Sequence, residues 1–243
     1  MTIESEKDLE SCAREPIHRP GSIQPHGALL LLAPGNFGLR AASANAAELL
    51  GVTLPAGEPP GGPIAPLLAS LRQWTGSDEG SYQDIVTIGE RAFHAVAHRA
   101  RAGVILELEL LPAGEDRPME RLFPRLKALA EKLSATPDVA ALSAMIAQYV
   151  RDLTGFDRVL VYRFDREWNG RVVGEDGNGV LPSYLDLRFP AGDIPAQARQ
   201  LYKLNRLRII PDVDYTPVPV VPMPGQPRGG EPLDMSFAVL RSV

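Results

Sequence analysis

Three prolines fall within ten residues in Pro16-Ile17-His18-Arg19-Pro20-Gly21-Ser22-Ile23-Gln24-Pro25, so this stretch can be neither helix nor ordinary central strand. Each proline removes a backbone donor and pushes its predecessor toward extended geometry. Chain ends of that composition are ordinarily polar and loose. This one carries Ile17 and Ile23, the histidines His18 and His26, and, just upstream, the sole cysteine of the chain, Cys12. It reads as an arm built to lie along something, with a thiol that can reach a pocket formed elsewhere.

The remainder is of ordinary globular character. The 243 residues suit one large domain or two small ones, and 44% hydrophobic and 23% charged content is typical. A net charge of -5 argues against a general nucleic-acid binder, which needs a basic face. No apolar run approaches the roughly 20 residues of a membrane span. The acidic start Met-Thr-Ile-Glu-Ser-Glu-Lys-Asp has no apolar signal region, and one cysteine makes no internal disulfide, so a reducing cytoplasm is the expected setting.

Glycine and proline cluster at 16–27, 51–63, 112–124 and 211–232, and the third cluster reads as a domain linker. Before it the pattern is strand-rich. Gly27–Leu32 is a buried strand, and residues 44–50 form a short helix with Asn45 as cap and Gly51 as stop. Residues 91–99 alternate, with Phe93, Ala95 and Ala97 on one side and His94, Val96 and His98 on the other. Leu106, Leu108 and Leu110 alternate with Glu107 and Glu109 as in a half-buried strand. His94 and His98 share a strand face, but no cysteine or carboxylate completes a metal set, so that face is read as solvated and no metal is expected.

After the linker, Leu122, Leu126, Leu129 and Leu133 form one helical stripe. Val139 to Leu153 form another, opened by Thr136-Pro137 and stopped by Gly155. Strands are expected at 159–164 and 171–175, and a helix at 194–204 capped by Asp193. The seven prolines of 211–232 exclude regular structure there. A loop that long in a compact domain is functional or disordered.

Four separated motifs together resemble the bacterial phytochromes. They are the arm (Cys12, Glu15-Pro16-Ile17-His18, Pro20 to Gly27), Phe156-Asp157-Arg158-Val159 with Tyr162-Arg163-Phe164, Phe189-Pro190-Ala191-Gly192-Asp193-Ile194-Pro195, and Ala238-Val239-Leu240-Arg241-Ser242-Val243. The likeness is strong over 10–32 and 122–243. Over 36–110 the strand pattern alone fits. The resemblance implies an α+β protein: an arm (1–26), a PAS domain (27–112), a linker (113–121) and a GAF domain (122–243). It also implies that the arm threads a GAF loop in a figure-of-eight knot, with Ile23 inside the loop at 211–240.

The same resemblance implies a red/far-red photoreceptor that binds biliverdin IXα, attaches it to Cys12 as a thioether and signals by Z/E isomerisation. Cys12 lies eleven residues before Ile23, and an extended arm of that length spans at most about 36–40 Å. By itself the thiol is more readily read as inert. Asp193, read alone a helix cap, becomes a contact of the pyrrole nitrogens. Gly192 stands where the family usually has serine. Arg208 and Arg241, read alone as solvent-facing, become partners of the two propionates, for which guanidinium is the best bidentate match. Tyr162, Phe189 and Tyr202 would line the pocket of the isomerising ring, with Ile194 and Pro195 against the chromophore plane. His18 and His26 would fix the arm.

The family continues past Arg241-Ser242-Val243 with the closing strands of the GAF sheet and two histidines near the chromophore. No histidine follows His98, so an incomplete GAF domain is expected, with an open edge and lowered solubility. Downstream PHY and output domains, and a homodimer of the full-length protein, are implied partners. No enzyme activity is expected beyond chromophore self-attachment. Two other readings remain open: a PAS-GAF interaction or ligand module without photochemistry, and a cysteine-dependent enzyme, for which a proline-rich arm is a poor scaffold.

Overall fold

All six residues of Gly27–Leu32 are buried, so both faces of this strand must be covered. The computed structural model of the chain, which describes residues 15–112, 118–136, 138–226 and 232–242, shows what covers them. In chain order the elements are β1 (Ser22–Ile23), β2 (Gly27–Leu32), β3 (Leu39–Ser43), α1 (Ala46–Leu50), α2 (Ala65–Thr75), β4 (Ser81–Ile88), β5 (Arg91–Ala100) and β6 (Gly103–Leu110). They continue with α3 (Pro118–Ala135), α4 (Val139–Thr154), β7 (Arg158–Phe164), β8 (Gly170–Gly177), β9 (Arg188–Phe189), α5 (Ala196–Leu204) and β10 (Val218–Pro222). By their internal contacts the described residues group into two units, 118–196 on one hand and 15–112 with 197–242 on the other.

The second unit is built on an antiparallel sheet in the order β1-β10-β3-β2-β6-β5-β4. The register sets Leu30 opposite Leu106 and Leu29 opposite Glu107, so each face collects its own residues. One face carries Leu30, Leu32, Phe93, Ala95, Leu106 and Leu108 against Leu68, Leu71 and Trp74 of α2. Each of these leucine and phenylalanine side chains contributes about 1.5–3 kcal/mol by leaving water. Arg99 closes this side: its guanidinium lies 4.3 Å over the Trp74 ring and donates to the carbonyl of Trp74 in the last turn of α2 and to those of Ser77 and Glu79 beyond it. The other face carries Leu29, Leu31 and Ile105. It packs against Ile23 of the arm and against Met235, Ala238 and Leu240. The apolar run of β2 is thus explained by a second core whose cover comes from the far end of the sequence.

Several local expectations are corrected here. The strand at 103–110 is not half-buried, because Glu107 is as buried as its leucine neighbours. His98 does not sit on a solvated face. It is buried with its ring 5.9 Å from that of Phe237. Residues 218–222 form a strand despite their prolines. Pro219 accepts from Ala44 N at the terminal bond between β10 and β3, so its missing donor falls at the end of that pairing, and the nitrogen of Pro222 faces past the end of β1. Asn45 does not cap α1. Its amide donates instead to the carbonyls of Pro25 and Gly27, tying the arm to the start of β2.

The first unit is smaller. Its sheet runs β7-β8-β9, antiparallel throughout, with α4 laid against it. The approach is close enough that a Cβ on Gly174 would stand 2.6 Å from the backbone of Ser143, so only glycine fits that point of β8. Asp138, not Thr136, caps α4, its carboxylate accepting from Ala141 N at 2.8 Å; Pro137 lies outside the described residues. Asp193 does not cap α5 either. It ends a short 3₁₀ turn (Ala191–Asp193) and is followed by Ile194 in extended geometry, φ -124°.

Candidate functional site

Within the second unit the arm is gripped along both edges. On one side Ser22 and Ile23 pair with Pro219 and Val218, and Gly21 accepts from Val220 N at 2.8 Å. On the other side Gln24 N donates to Leu240 O, Ser242 N donates to Ser22 O, and the two serine hydroxyls meet at 2.7 Å. Met235 N reaches back to His18 O, so His18 contributes its backbone to the grip. His26 stands 3.7 Å from Glu109 at the entry to β2. Ile23, between the segments 218–220 and 240–242, is 0% exposed.

Beside this grip lies a cavity of about 480 Å³, in the range that small-molecule sites occupy. Pro16, Ile17 and Pro20 of the arm form one wall. Tyr202, Arg208 and Arg241 stand on the others. Cys12 lies outside the described residues, and the arm enters the cavity wall at Glu15. Both guanidiniums are half-buried. Arg241 donates to Ile17 O at 2.6 Å, and Arg208 to Val239 O at 3.3 Å. Among the described residues neither forms an ion pair. Burial holds both below the ordinary arginine value, and the charge of Arg208 depresses Arg241 further. Two cations share one cavity and repel, an arrangement that an anionic guest relieves.

Tyr162, Phe189, Asp193, Ile194 and Pro195 belong to the first unit. The rings of Tyr162 and Phe189 lie 5.9 Å apart, and Tyr162 meets Phe164 edge-on at 5.2 Å. Tyr162 lies across Gly170 so closely that a Cβ there would collide with its ring. Partial burial and then the charge of Asp193 raise the tyrosine hydroxyl above its ordinary value. Asp193 itself is exposed at the end of its turn. Phe189 also borders an open cleft of about 700 Å³ shared with Arg163, Arg171 and Arg188, in which Arg171 is already paired with Asp186 at 2.7 Å. Among the described residues no histidine, cysteine and carboxylate cluster could hold a metal. No described helix is long and apolar enough to cross a membrane.

Two residues of the site were not singled out in the sequence. Gln24 is buried, and its amide donates to Ile209 O at 2.9 Å, joining the arm to the segment that carries Arg208. Glu107 accepts from Val239 N and Leu240 N, beside Arg241. Gln24 sits inside a recognisable motif, which is a usable signal. Glu107 has none, because its partners lie more than a hundred residues away.

Comparison with known proteins fits this geometry. A sequence model of the PAS fold matches residues 12–111. The chain is 38% identical to a bacteriophytochrome of Xanthomonas campestris pv. campestris (strain 8004), over 97% of this chain and 38% of that one. It is 39% identical to cyanobacterial phytochrome B of Nostoc sp., over 100% of this chain and 33% of the relative. It therefore spans about a third of the length of these curated relatives. Among solved structures, the wild-type chromophore-binding domain of a Stigmatella aurantiaca phytochrome superposes with a TM-score of 0.83 at 44% identity, covering 96% of this chain and 78% of that one. The chromophore-binding domain of an unusual R. palustris bacteriophytochrome gives 0.80 at 39%, covering 96% and 77%. The α+β architecture is that of a PAS domain followed by a GAF domain. With this agreement over nearly its whole length, the chain belongs to the bacteriophytochrome family.

Proposed function

We propose that this chain is the pigment-holding part of a red/far-red photoreceptor. It binds biliverdin IXα, a linear tetrapyrrole with two propionates, and attaches it to Cys12. One observation carries this reading: two half-buried, mutually repelling guanidiniums, Arg208 and Arg241, line a cavity walled on another side by the arm that bears Cys12. Two carboxylates on one guest answer two arginines in one cavity. Attachment is an addition. The cysteine sulfur bonds to a vinyl carbon, the thiol proton ends on the neighbouring carbon, and no oxidant is consumed. His18, His26 and Ile23 hold the arm, which we take to be threaded through the loop spanning 211–240.

Light then drives Z/E isomerisation of the ring lined by Tyr162, Phe189 and Tyr202, with Asp193, Ile194 and Pro195 contacting the pigment. The changed hydrogen bonds bias a two-state element elsewhere in the protein. The division 1–26, 27–112, 113–121 and 122–243 into arm, PAS domain, linker and GAF domain belongs to the same reading.

Incubation with biliverdin, denaturation and zinc-induced fluorescence on a gel tests it. The wild-type chain is expected to give a fluorescent band that Cys12→Ala abolishes. Colour without a band places the chain with noncovalent ligand modules, and no colour at all ends the bilin reading. Arg241→Gln removes one charge-assisted contact, worth about 1.5–3 kcal/mol, so the variant should bind biliverdin roughly 10- to 100-fold more weakly in titrations followed by absorbance. An unchanged affinity removes Arg241 from the site.

A further inference from the structure

We infer that Glu107, a sheet residue that does not line the cavity, is the positioning residue that sets Arg241 in the cavity wall. The anchoring rests on geometry alone, and its bearing on pigment rests on the function proposed above.

Glu107 is 1% exposed, on the sheet face that Met235, Ala238 and Leu240 cover. Its two oxygens take different backbone donors: Oε1 accepts from Leu240 N at 2.7 Å and Oε2 from Val239 N at 3.1 Å. Arg241 is the next residue. The segment so held is also the hub for the rest of the site. Leu240 O accepts from Gln24 N, Val239 O accepts from Arg208, and Gln24 reaches on to Ile209 O. One carboxylate on a rigid strand thus fixes a short segment to which the arm and both arginines are bonded.

The choice of a carboxylate is informative. A hydrophobic residue at this register would suit the apolar surroundings but leave two buried N–H groups without acceptors. A glutamine has one acceptor oxygen and would turn an N–H₂ toward one of the two donors. An ionised carboxylate satisfies both, and its negative charge lies within range of Arg208. Burial nevertheless opposes the charge and raises the carboxyl to about 7. The titratable and charged groups around it are Arg208, which favours the ionised form, Glu109 on its own strand, which opposes it, and His98 on the same face of β5. Protonation weakens one of the two hydrogen bonds but relieves the larger cost of burying the charge.

The test is Glu107→Gln in the full chain, read first without pigment. In the wild type the Val239 and Leu240 amides and the buried Arg241 Nε–H should be protected from hydrogen exchange. In the variant their protection should fall at least tenfold while that of Leu30 in β2 persists. Biliverdin affinity should fall about tenfold, with attachment through Cys12 still complete at saturating pigment. Unaltered exchange at Val239 and Leu240 overturns the inference, and so does lost protection with unaltered pigment affinity. If the wild type itself takes up no biliverdin, the functional reading fails, and the pigment-free exchange still decides the anchor. If the variant does not fold, the wild type supplies the measurement. Opening the segment exposes Glu107 and returns its carboxyl toward 4.5, so protection of Val239 and Leu240 relative to Leu30 should rise as pH drops from 7 to 4.5, and a flat ratio rules the anchor out.

Discussion

Replacing Ile23 by alanine is expected to cost the unit of residues 15–112 and 197–242 about 2–5 kcal/mol of stability, as much as a deletion in the main core. Ile23 is fully buried although it sits in a proline-rich arm near the start of the chain. It belongs to the second core with Leu29, Leu31, Ile105, Met235 and Leu240, and its backbone is paired to Val218 on one side and bridged to Arg241 on the other. Removing its branched side chain leaves a cavity that cannot easily collapse, because both flanking segments are fixed by ladder bonds. Urea unfolding followed by Trp74 fluorescence, in a Trp168→Phe background, reads this unit directly. Leu30→Ala on the opposite sheet face is the reference. If Ile23→Ala costs less than about 1 kcal/mol while Leu30→Ala costs the usual 2–5, the arm lies loosely and the second core does not stabilise the fold.

That second core marks the boundary of what the sequence discloses. Elements whose signal is local were legible: the run at 27–32, the stripe from Val139 to Leu153, the strand at 159–164. Ile64, Leu67, Leu68, Leu71 and Trp74 also have helical spacing, so α2 was open to a periodicity reading. What escaped is whatever depends on a distant cover. Glu107 and Glu109 look alike in the alternating pattern of β6, yet Glu109 reaches solvent and Glu107 is sealed by residues 239 and 240. Proline content argued against a strand at 218–222, and the local rule failed because one proline falls at the end of the pairing with β3 and the other past the end of β1. Of the candidate site residues named through family motifs, Tyr202, Arg208 and Arg241 line one cavity. The packing around it was not legible, since Gln24 and Glu107 act through partners remote in sequence.

Glu107 and His98 also share that covered face, and together they should hide a large pH effect that single substitutions will reveal. Burial raises Glu107 from 4.5 to about 7, against weaker opposition from the Leu240 and Val239 amides and Arg208. Between those values the native chain holds a proton that the unfolded chain has released, so the Glu107 contribution is full below about pH 4.5 and is lost as pH rises to about 7. Burial lowers His98 from 6.5 to about 4, with Asp234 opposing. Here the unfolded chain binds the extra proton, so the His98 contribution is full above about pH 6.5 and is lost as pH falls to about 4. The windows overlap and the slopes oppose, each about 1.4 kcal/mol per pH unit. Between pH 4.5 and 6.5 the pair should therefore contribute almost no net slope in the wild type. Glu107→Gln leaves His98 alone and should lose on the order of 3 kcal/mol more than the wild type on acidification from pH 6.5 to 4. His98→Phe removes an imidazole with no hydrogen-bond partner among the described residues and leaves Glu107 alone. That variant should gain a similar amount, relative to the wild type, between pH 7 and 4.5. Urea midpoints at four pH values for the wild type, both variants and the double variant separate these curves, and the double variant should return to the wild-type slope. Parallel profiles for all four proteins would mean that neither group titrates behind the cover, and hence that the segment around Leu240 does not seal this face of the sheet.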